Sequence, residues 1–321
     1  MTTTIQPAIV IRNEPLCREH YRLTLRAESF APGEPGQFVN IGPESTRAPG
    51  CQEIDWNDRS ALDSWAAEAS LPTLRRAFSI AGLRRSPAGV EIDVIYRVVG
   101  TATRWMEALR GGDIISVLGP LGNVFPISAR KRVAWLVAGG VGLPPMLWLA
   151  EVLRSADRET IAFCGARTRD LLPLALDPVI QPAGDASVAS ACVAEFAGSG
   201  TRTVLSTDDG SLGYHGYIGD ALAAYHRANP TASDRVVAYT CGPEPMMRFV
   251  AWYCHMRGIE CYACTEAAMA CGIGTCQSCV IPVRDDRAAA GWRYKLCCKD
   301  GPVFPAEELI WDPVETGPPS R

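Results

Sequence analysis

The sequence predicts a multidomain protein of the β plus α/β class: an antiparallel β-barrel, a parallel-sheet domain and a small C-terminal module. Three observations support this prediction. Short β-branched segments separated by Gly and Pro fill the first third of the chain. From about Lys131 onward, strand patterns alternate with helix patterns, which is typical of a parallel sheet covered on both faces. Nine of the 13 cysteines lie between Cys241 and Cys298, so the C-terminal part has a chemistry of its own.

The expected boundaries follow these changes of pattern: residues 1–128 for the barrel, 129–257 for the parallel-sheet domain and 258–321 for the cysteine module. Barrel strands are predicted at Ala8–Arg12, Tyr21–Leu25, Gln37–Ile41, Ala77–Ala81 and Glu91–Val98. Strands of the second domain are predicted at Val133–Ala138, Thr160–Cys164, Ser190–Glu195 and Val236–Cys241. Helices are predicted from near Pro144, at Ile218–Ala228 and at Pro245–Met256.

One segment does not fit the barrel pattern. Residues 44–74 are acidic and turn-rich, with helix-like apolar spacing in the part from Asp58 to Ala69. A connection of this length is uncommon inside a compact domain unless it is functional or mobile. The simplest interpretation is a solvated surface excursion. A second hypothesis is that Trp56 and Trp65 dock the excursion onto a partner subunit or onto the barrel.

Bulk composition argues against several classes of protein. With 31 basic and 35 acidic residues, the net charge of -4 gives no reason to expect nucleic-acid binding. The apolar runs are far shorter than the ~20 residues of a membrane-spanning helix, and the N-terminus lacks the pattern of a signal peptide. Clustered cysteines in a chain of this length indicate metal or redox chemistry rather than a disulfide framework. We therefore expect a cytoplasmic protein.

The strongest chemical signal is the spacing of four cysteines. Cys271, Cys276 and Cys279 follow the pattern C-x4-C-x2-C, and Cys298 comes nineteen positions later. This is the plant-type ligand arrangement of a 2Fe–2S cluster. Glycines within the loop allow it to curl tightly around the inorganic core. The adjacent Cys297 is an alternative fourth ligand.

A structural zinc site competes with the cluster for the same residues. Cys261 with Cys264, and Cys276 with Cys279, form two C-x2-C pairs of the kind that bind zinc. A strand pattern around Cys261 and Cys264 would point the two side chains in diverging directions. The zinc interpretation also leaves Cys271 without a role, so the sequence favours the cluster.

Two glycine-containing turns predict a nucleotide site in the second domain. Gly139, Gly140 and Gly142 lie between a buried strand and a helix, where backbone N–H groups can approach a pyrophosphate. The third glycine of the usual fingerprint is missing, so this motif alone is weak, and tight turns of this kind also occur without a ligand. Cys241 begins a Cys-Gly-Pro-Glu turn after the last strand of the sheet, at the edge where ligands of such sheets collect.

In the barrel, an Arg-Ala-Phe-Ser run beginning at Arg76 can pair with a phosphate and cover a ring. A later segment, Tyr96 to Thr103, places Gly100 before a predicted helix from Thr103 to Leu109, whose N–H groups can bind a pyrophosphate. Taken singly, these are ordinary strand residues. Their order along the chain gives them meaning.

This order resembles the ferredoxin–NADP reductase superfamily. The run from Met269 to Cys279, together with Cys298-Lys-Asp-Gly-Pro, is similar to the electron-transfer subunits of heterodimeric NAD-dependent dihydroorotate dehydrogenases. The resemblance covers most of the chain and implies three bound groups, namely FAD, a 2Fe–2S cluster and NAD. It also implies an FMN-containing dihydroorotate dehydrogenase catalytic subunit as the partner, in a heterotetramer.

The resemblance implies roles for individual residues. For FAD they are Arg76, Ala77, Phe78, Ser79, Tyr96, Arg97, Val98, Gly100, Ala102 and Thr103. For the nicotinamide they are Gly139, Gly140, Gly142, Gly242, Pro243 and Glu244, with Cys241 as the catalytic residue beside the reactive edge of the flavin. For the cluster they are Cys271, Cys276, Cys279 and Cys298. Ala102 stands where the family has glycine, and residues 44–74 exceed the usual length of that connection.

Two alternatives stay open. The chain could serve as a reductase subunit for another redox complex, such as an oxygenase, a hydrogenase or a sulfur-reducing enzyme. It could also be a redox- or metal-sensing protein without turnover. NAD is favoured over NADP because acidic side chains follow Thr207, although a plain turn explains them equally well. None of the four histidines (His20, His215, His226 and His255) lies in a catalytic motif, so packing is the expected role of each and no site for dihydroorotate is expected on this chain.

Overall fold

The computed structural model describes residues 4–43 and 74–311. Six strands form a closed antiparallel barrel in the order β1-β2-β5-β4-β3-β6. Their bounds are β1 Thr4–Cys17, β2 His20–Ala27, β3 Phe38–Pro43, β4 Arg76–Ser86, β5 Gly89–Arg97 and β6 Ile114–Leu121. Helix α1 (Thr101–Ala108) follows β5. The barrel predicted from the sequence is therefore confirmed.

The second sheet has seven strands in the order β10-β9-β8-β7-β11-β12-β15. Their bounds are β7 Val133–Gly139, β8 Glu159–Ala166, β9 Arg202–Thr207, β10 Tyr214–His215, β11 Val236–Cys241, β12 Glu260–Cys264 and β15 Val303–Pro305. All neighbouring pairs are parallel except β12 with β15. Three helices accompany the sheet, namely α2 Leu143–Ser155, α3 Ile218–Ala228 and α4 Glu244–His255.

One predicted strand of this sheet is wrong. The segment Ser190–Glu195 contributes only single bridges from Ser190 and Val193. The strand at this place in the sheet is Arg202–Thr207 instead. This segment contains several polar residues and so does not look like a buried strand in the sequence. In the folded sheet, however, every residue after Arg202 is buried between the neighbouring strands. Tertiary position, rather than composition, decided which segment entered the sheet.

The C-terminal part is built onto both preceding sheets. Strands β12 and β15 extend the parallel sheet beyond residue 257, and a separate hairpin pairs β13 (Val280–Arg284) with β14 (Trp292–Leu296). A cluster of buried side chains joins the cysteine region to barrel strands β3 and β6. Its members are Phe38, Leu118, Leu121, Cys279, Cys297 and Cys298. The segment that carries Cys271, Cys276 and Cys279, with Cys298 beside it, is called the cysteine loop; it lies against the barrel wall.

The 44–74 excursion predicted from the sequence lies outside the described residues except for Leu74, and so do Trp56 and Trp65. In the described part of the chain, no helix is both long enough and apolar enough to cross a membrane.

Candidate functional site

A cleft of about 580 Å³ opens at the carboxyl ends of the parallel strands. Strand β7 has β8 on one side and β11 on the other, and the chain reaches β11 only after building β8, β9 and β10. Ligands of open α/β sheets bind at such a reversal of strand order. The cleft is lined there by Gly139, Gly140, Gly242 and Pro243. The structure therefore brings together the two glycine-containing turns that the sequence singled out separately.

These two turns interlock through their backbones. A Cβ on Gly142 would lie 2.0 Å from the carbonyl oxygen of Cys241, and a Cβ on Gly242 would lie 2.8 Å from the carbonyl oxygen of Gly139. Gly242 also has a φ of +143°, which side chains rarely adopt. The close approach fixes the start of α2 beside the start of α4, where Glu244 is the first helical residue. Two helix N-termini thus border the cleft, as anion binding requires.

Charged side chains line the outer part of the cleft. Arg97 donates from Nε and Nη2 to Glu19 Oε2, at 2.9 and 2.7 Å. The Arg97 hydrogen bond lowers the pKa of Glu19. Asp208 lies on the cleft wall, where burial raises its pKa while the nearby Arg167 partly opposes that shift. Glu266 also lies on the cleft wall. The residue is accessible to solvent, but partial desolvation of its carboxyl group by the surrounding protein raises its pKa.

Cys241 lies behind this surface and is only 1% exposed. It stands opposite Cys264 in the register of β11 and β12. A hydrogen bond with Cys264, together with burial, raises the pKa of Cys241 well above its usual value. The thiol is therefore protonated near neutral pH. It can serve as a small, polarizable packing group, but not as a nucleophilic thiolate.

The predicted flavin residues lie on two adjacent barrel strands. Arg76 is exposed and donates to the carbonyl of Leu74 at 2.8 Å, so its guanidinium remains at the surface. The ring of Phe78 meets that of Tyr96 edge to face at 6.1 Å. Tyr96 points into the barrel, where its hydroxyl donates to Asn13 Oδ1 at 3.1 Å. Only the backbone of Tyr96 is free to contact a cofactor on the outer surface of the barrel.

The first turn of α1 is organised by Thr103. Its hydroxyl accepts from the N–H groups of Val99 and Gly100, at 2.9 and 3.0 Å. The N–H of Gly100 is therefore already paired within the turn. The unpaired donors at this helix start belong to the first helical residues, which include Ala102. Ala77, Ser79 and Val98 lie on or beside β4 and β5 as expected.

The cysteine loop holds four thiols in two pairs. Cys271 and Cys276 interact within the loop, and hydrogen bonds from Ser278 and Cys271 lower the pKa of Cys276 to about 6. Cys298 interacts with Cys279. The N–H groups of Ile273 and Cys276 donate to Cys271 Sγ, each at 3.4 Å, and the N–H of Cys298 donates to Cys279 Sγ at 3.4 Å. Backbone donors thus already point at the sulfurs.

The two pairs match the number of thiols that a binuclear centre needs. Within residues 4–43 and 74–311, no three His, Cys, Asp or Glu side chains are grouped closely enough to hold a metal ion. A 2Fe–2S cluster needs two thiolates at each of two irons, which is what two pairs provide. Gly272 and Gly274 have φ values of +72° and +86°, so the loop curls as the cluster requires.

The zinc interpretation is not supported by the geometry. Cys261 and Cys264 lie on β12 with their thiols in different surroundings. Cys261 interacts with Cys254 of helix α4, whereas Cys264 interacts with Cys241. Cys297, the alternative fourth ligand, is buried and donates from Sγ to the carbonyl of Thr265 at 3.4 Å. Cys298 is therefore the better match for the fourth ligand.

Three residues at these sites were missed in the sequence. His20 is nearly fully buried at the start of β2 and lines the cleft, where burial lowers its pKa. Glu266 precedes the cysteine loop and reaches the cleft. Asn40 bonds to that loop from the barrel. Only Asn40 left a signal, as a lone amide within the apolar strand Phe38–Ile41.

Comparison with known proteins identifies the family to which the chain is related. Residues 266–310 match the model described as the iron–sulfur cluster binding domain of dihydroorotate dehydrogenase B. A protein of Bacillus cereus (strain G9842), named dihydroorotate dehydrogenase B (NAD(+)), electron transfer subunit, is 30% identical over 308 residues, which is 95% of this chain and 98% of that protein. The chain belongs to this family of electron-transfer subunits. A Bacillus mycoides protein of the same name is 29% identical over the same length.

Solved structures agree on the fold. One structure is described as an NADH-dependent reduced ferredoxin–NADP oxidoreductase that performs flavin-based electron bifurcation. It superimposes with a TM-score of 0.70 at 22% identity, covering 95% of this chain and 90% of that one. A ferredoxin reductase of carbazole 1,9a-dioxygenase gives a TM-score of 0.58 at 21% identity, over 81% of this chain and 67% of that one. The reductase fold expected for the family is therefore confirmed.

Proposed function

We propose that this chain carries electrons between a 2Fe–2S cluster, FAD and a nicotinamide, as the redox subunit of an NAD-dependent dihydroorotate dehydrogenase. One observation supports this most directly. Strand β11 ends at Cys241, where the Cys-Gly-Pro-Glu turn of the predicted nicotinamide site begins. Its neighbour β12 ends at Cys264, shortly before the cysteine loop. Between them, Glu266 lines the cleft five residues before Cys271. The proposed nicotinamide site and the proposed cluster site therefore lie at the same end of one sheet, next to the barrel strand that bears the flavin motif.

Each site has residues suited to its group. The interlocked turns at Gly142 and Gly242 offer helix N-termini to a pyrophosphate. Cys241 lies behind the turn as a neutral, compact side chain, which leaves room for a nicotinamide ring in the cleft. The four thiols of the cysteine loop are accompanied by backbone donors, which favour the added negative charge of a reduced cluster. When bound, FAD supplies conversion between two-electron hydride chemistry and one-electron steps.

The partner is the FMN-containing catalytic subunit that oxidises dihydroorotate, and the complex is a cytoplasmic heterotetramer. This proposal is supported by the relatives named electron transfer subunit, which match over 95% of the chain. In this division of labour, electrons from dihydroorotate reach the cluster of this chain, continue to FAD and leave on NAD. We assign oxidation of the pyrimidine to that partner and not to this chain.

A cofactor assay on the purified chain tests the redox assignment. We expect one FAD, two irons and two acid-labile sulfides per chain, and bleaching of the visible bands on reduction.

Co-expression with candidate partners then tests the subunit assignment. Co-purification with a dihydroorotate-oxidising FMN protein supports it, whereas exclusive assembly with an oxygenase or hydrogenase component would identify a reductase of another complex. Cofactors that are present but not reduced by NADH would favour a sensing role.

The preference for NAD is tested at Asp208. A carboxylate on the cleft wall accepts from a ribose hydroxyl and repels the phosphate that NADP carries there. We expect Asp208→Ser to raise the ratio of kcat/KM for NADPH over NADH by about tenfold, which corresponds to about 1.4 kcal/mol. Asp209→Asn is the matched control, because Asp209 Oδ1 accepts from the N–H and hydroxyl of Ser211 and closes the turn. An equal change in both variants would argue against a direct role for Asp208.

A further inference from the structure

Asn40 connects the barrel to the cysteine loop. It lies on β3, where its register partners are Ala77 of the flavin motif on one side and Leu118 on the other. Its side chain is 2% exposed. Nδ2 donates to the carbonyl oxygen of Cys271, at 2.9 Å, across 231 residues of sequence. A strand residue next to the predicted flavin motif therefore holds the backbone of a predicted cluster ligand.

This hydrogen bond sets the orientation of one peptide plane. The Cys271–Gly272 peptide is planar and trans, so its N–H points away from its carbonyl. With the carbonyl bound to Asn40 on the barrel side, the N–H of Gly272 faces away from the barrel wall. The next donors in the loop, from Ile273 and Cys276, already point at Cys271 Sγ. Asn40 therefore also fixes the direction of the Gly272 N–H, which immediately precedes these donors in the chain.

The fit between Asn40 and Gly272 is close. A Cβ on Gly272 would lie 2.1 Å from Asn40 Nδ2 and 3.0 Å from its Cγ. The amide therefore lies directly over the glycine, whose φ of +72° suits glycine as well. Two independent constraints, one steric and one conformational, require glycine at this position. The Asn40 contact accounts for the steric one.

The other end of the amide argues against a purely structural role. Asn40 Oδ1 is buried and has no hydrogen-bond partner among the described residues. An unsatisfied buried acceptor costs folding free energy, and an apolar side chain of the same shape would avoid that cost. The hydrogen bond that Asn40 donates to the Cys271 carbonyl is what offsets this cost.

We propose that Asn40 is a positioning residue that orients the Cys271 peptide toward the cluster and ties the cluster loop to the flavin strand. The proposal rests on the proposed function, since it assumes the 2Fe–2S cluster at these four cysteines. Donors directed at the sulfurs stabilise the reduced cluster, because reduction adds negative charge. Loss of the Asn40 bond frees the peptide to rotate and removes part of that stabilisation. The reduction potential of the cluster then falls.

The test is a redox titration of the cluster, followed by electron paramagnetic resonance, in the full chain. Asn40→Leu keeps the shape of the side chain and removes the donor; Asn40→Thr keeps a strand-compatible side chain whose hydroxyl is too short to reach. We expect both to move the potential to more negative values by about 59 mV, a tenfold change in the ratio of oxidised to reduced cluster for one electron. A changed spectrum of the reduced cluster should accompany the shift.

Asn123→Ala is the matched control. Asn123 also joins the barrel side to the C-terminal part, through bonds from Nδ2 to the carbonyls of Asp300 and Val303, at 3.0 and 2.7 Å. Its loss should lower the thermal midpoint without shifting the potential. An unchanged potential in cluster-loaded Asn40 variants, or an equal shift in Asn123→Ala, overturns the proposal. A wild-type chain without iron and sulfide contradicts the proposed function instead, so the two failures are distinguishable.

Discussion

At the scale of single residues, adjacent cysteines have different surroundings. Cys297 and Cys298 follow each other at the end of β14, both buried, and burial raises the pKa of each to about 12. In the turn that follows β14, the Cys297 thiol donates to the carbonyl of Thr265, whereas the Cys298 thiol interacts with Cys279. Because the two thiols have different partners, we expect only Cys298 to complete the ligand set.

Serine substitutions separate the two roles. Cys298→Ser should lose most of its iron and acid-labile sulfide, because a hydroxyl does not replace a thiolate ligand. Cys297→Ser should keep both, since its hydroxyl can still donate to Thr265, and its free energy of unfolding should fall by only about 1 kcal/mol. Iron and sulfide assays together with denaturant unfolding measure these effects. Retention of the cluster in Cys298→Ser, with loss in Cys297→Ser, would reverse the ligand assignment.

At the scale of elements, the nicotinamide cleft depends on two strand-to-helix turns that touch through their backbones. Each turn is recognisable in the sequence as a glycine pattern after a buried strand. Their contact is not, because it depends on β7 and β11 being neighbours in the sheet although about 100 residues separate them. The glycines at 142 and 242 then serve close packing between the turns as much as access for a ligand.

Gly142→Ala tests this packing. Its φ of -77° accepts any residue, so strain arises only from the overlap with the Cys241 carbonyl. We expect a loss of about 1–3 kcal/mol in the free energy of unfolding and weaker NADH binding, because the turns must separate. Gly198→Ala is the control, since a Cβ there meets nothing within 4 Å. Thermal unfolding and NADH titration provide the readouts, and equal behaviour of the two variants would contradict the interlocked geometry.

At the scale of the whole molecule, the three predicted domains pack against one another through shared clusters of buried side chains. Barrel residues Ala81, Ile95 and Phe125 belong to the same buried cluster as helix α2 and the parallel sheet. The cysteine region packs on the barrel through Phe38 and completes the sheet through β12 and β15. The boundaries at residues 128 and 257 remain predictions. The shared packing leads us to expect cooperative unfolding.

Stability should decrease in mild acid. Burial lowers the pKa of His20 and of His226, so the folded state favours their neutral forms. As pH falls through about 6.5, the unfolded chain binds protons that the folded chain does not, and each histidine removes at most about 1.4 kcal/mol per pH unit. The thermal midpoint should therefore fall between pH 7.5 and pH 5.5. His226→Gln, remote from the cleft, should reduce this slope, and an unchanged slope would exclude His226 as a contributor.

The sequence by itself determined the barrel, the alternating strands and helices, and the ligand spacing of the cysteine loop, because each is encoded by local periodicity or by fixed offsets along the chain. It misplaced one strand, whose polar residues are buried only in the folded sheet. Tertiary structure alone decided that Asn40 meets Cys271, that Glu266 reaches the cleft and that Tyr96 points into the barrel. Those contacts join residues far apart in sequence, and only the folding of the barrel and the packing of the C-terminal part against it bring them together.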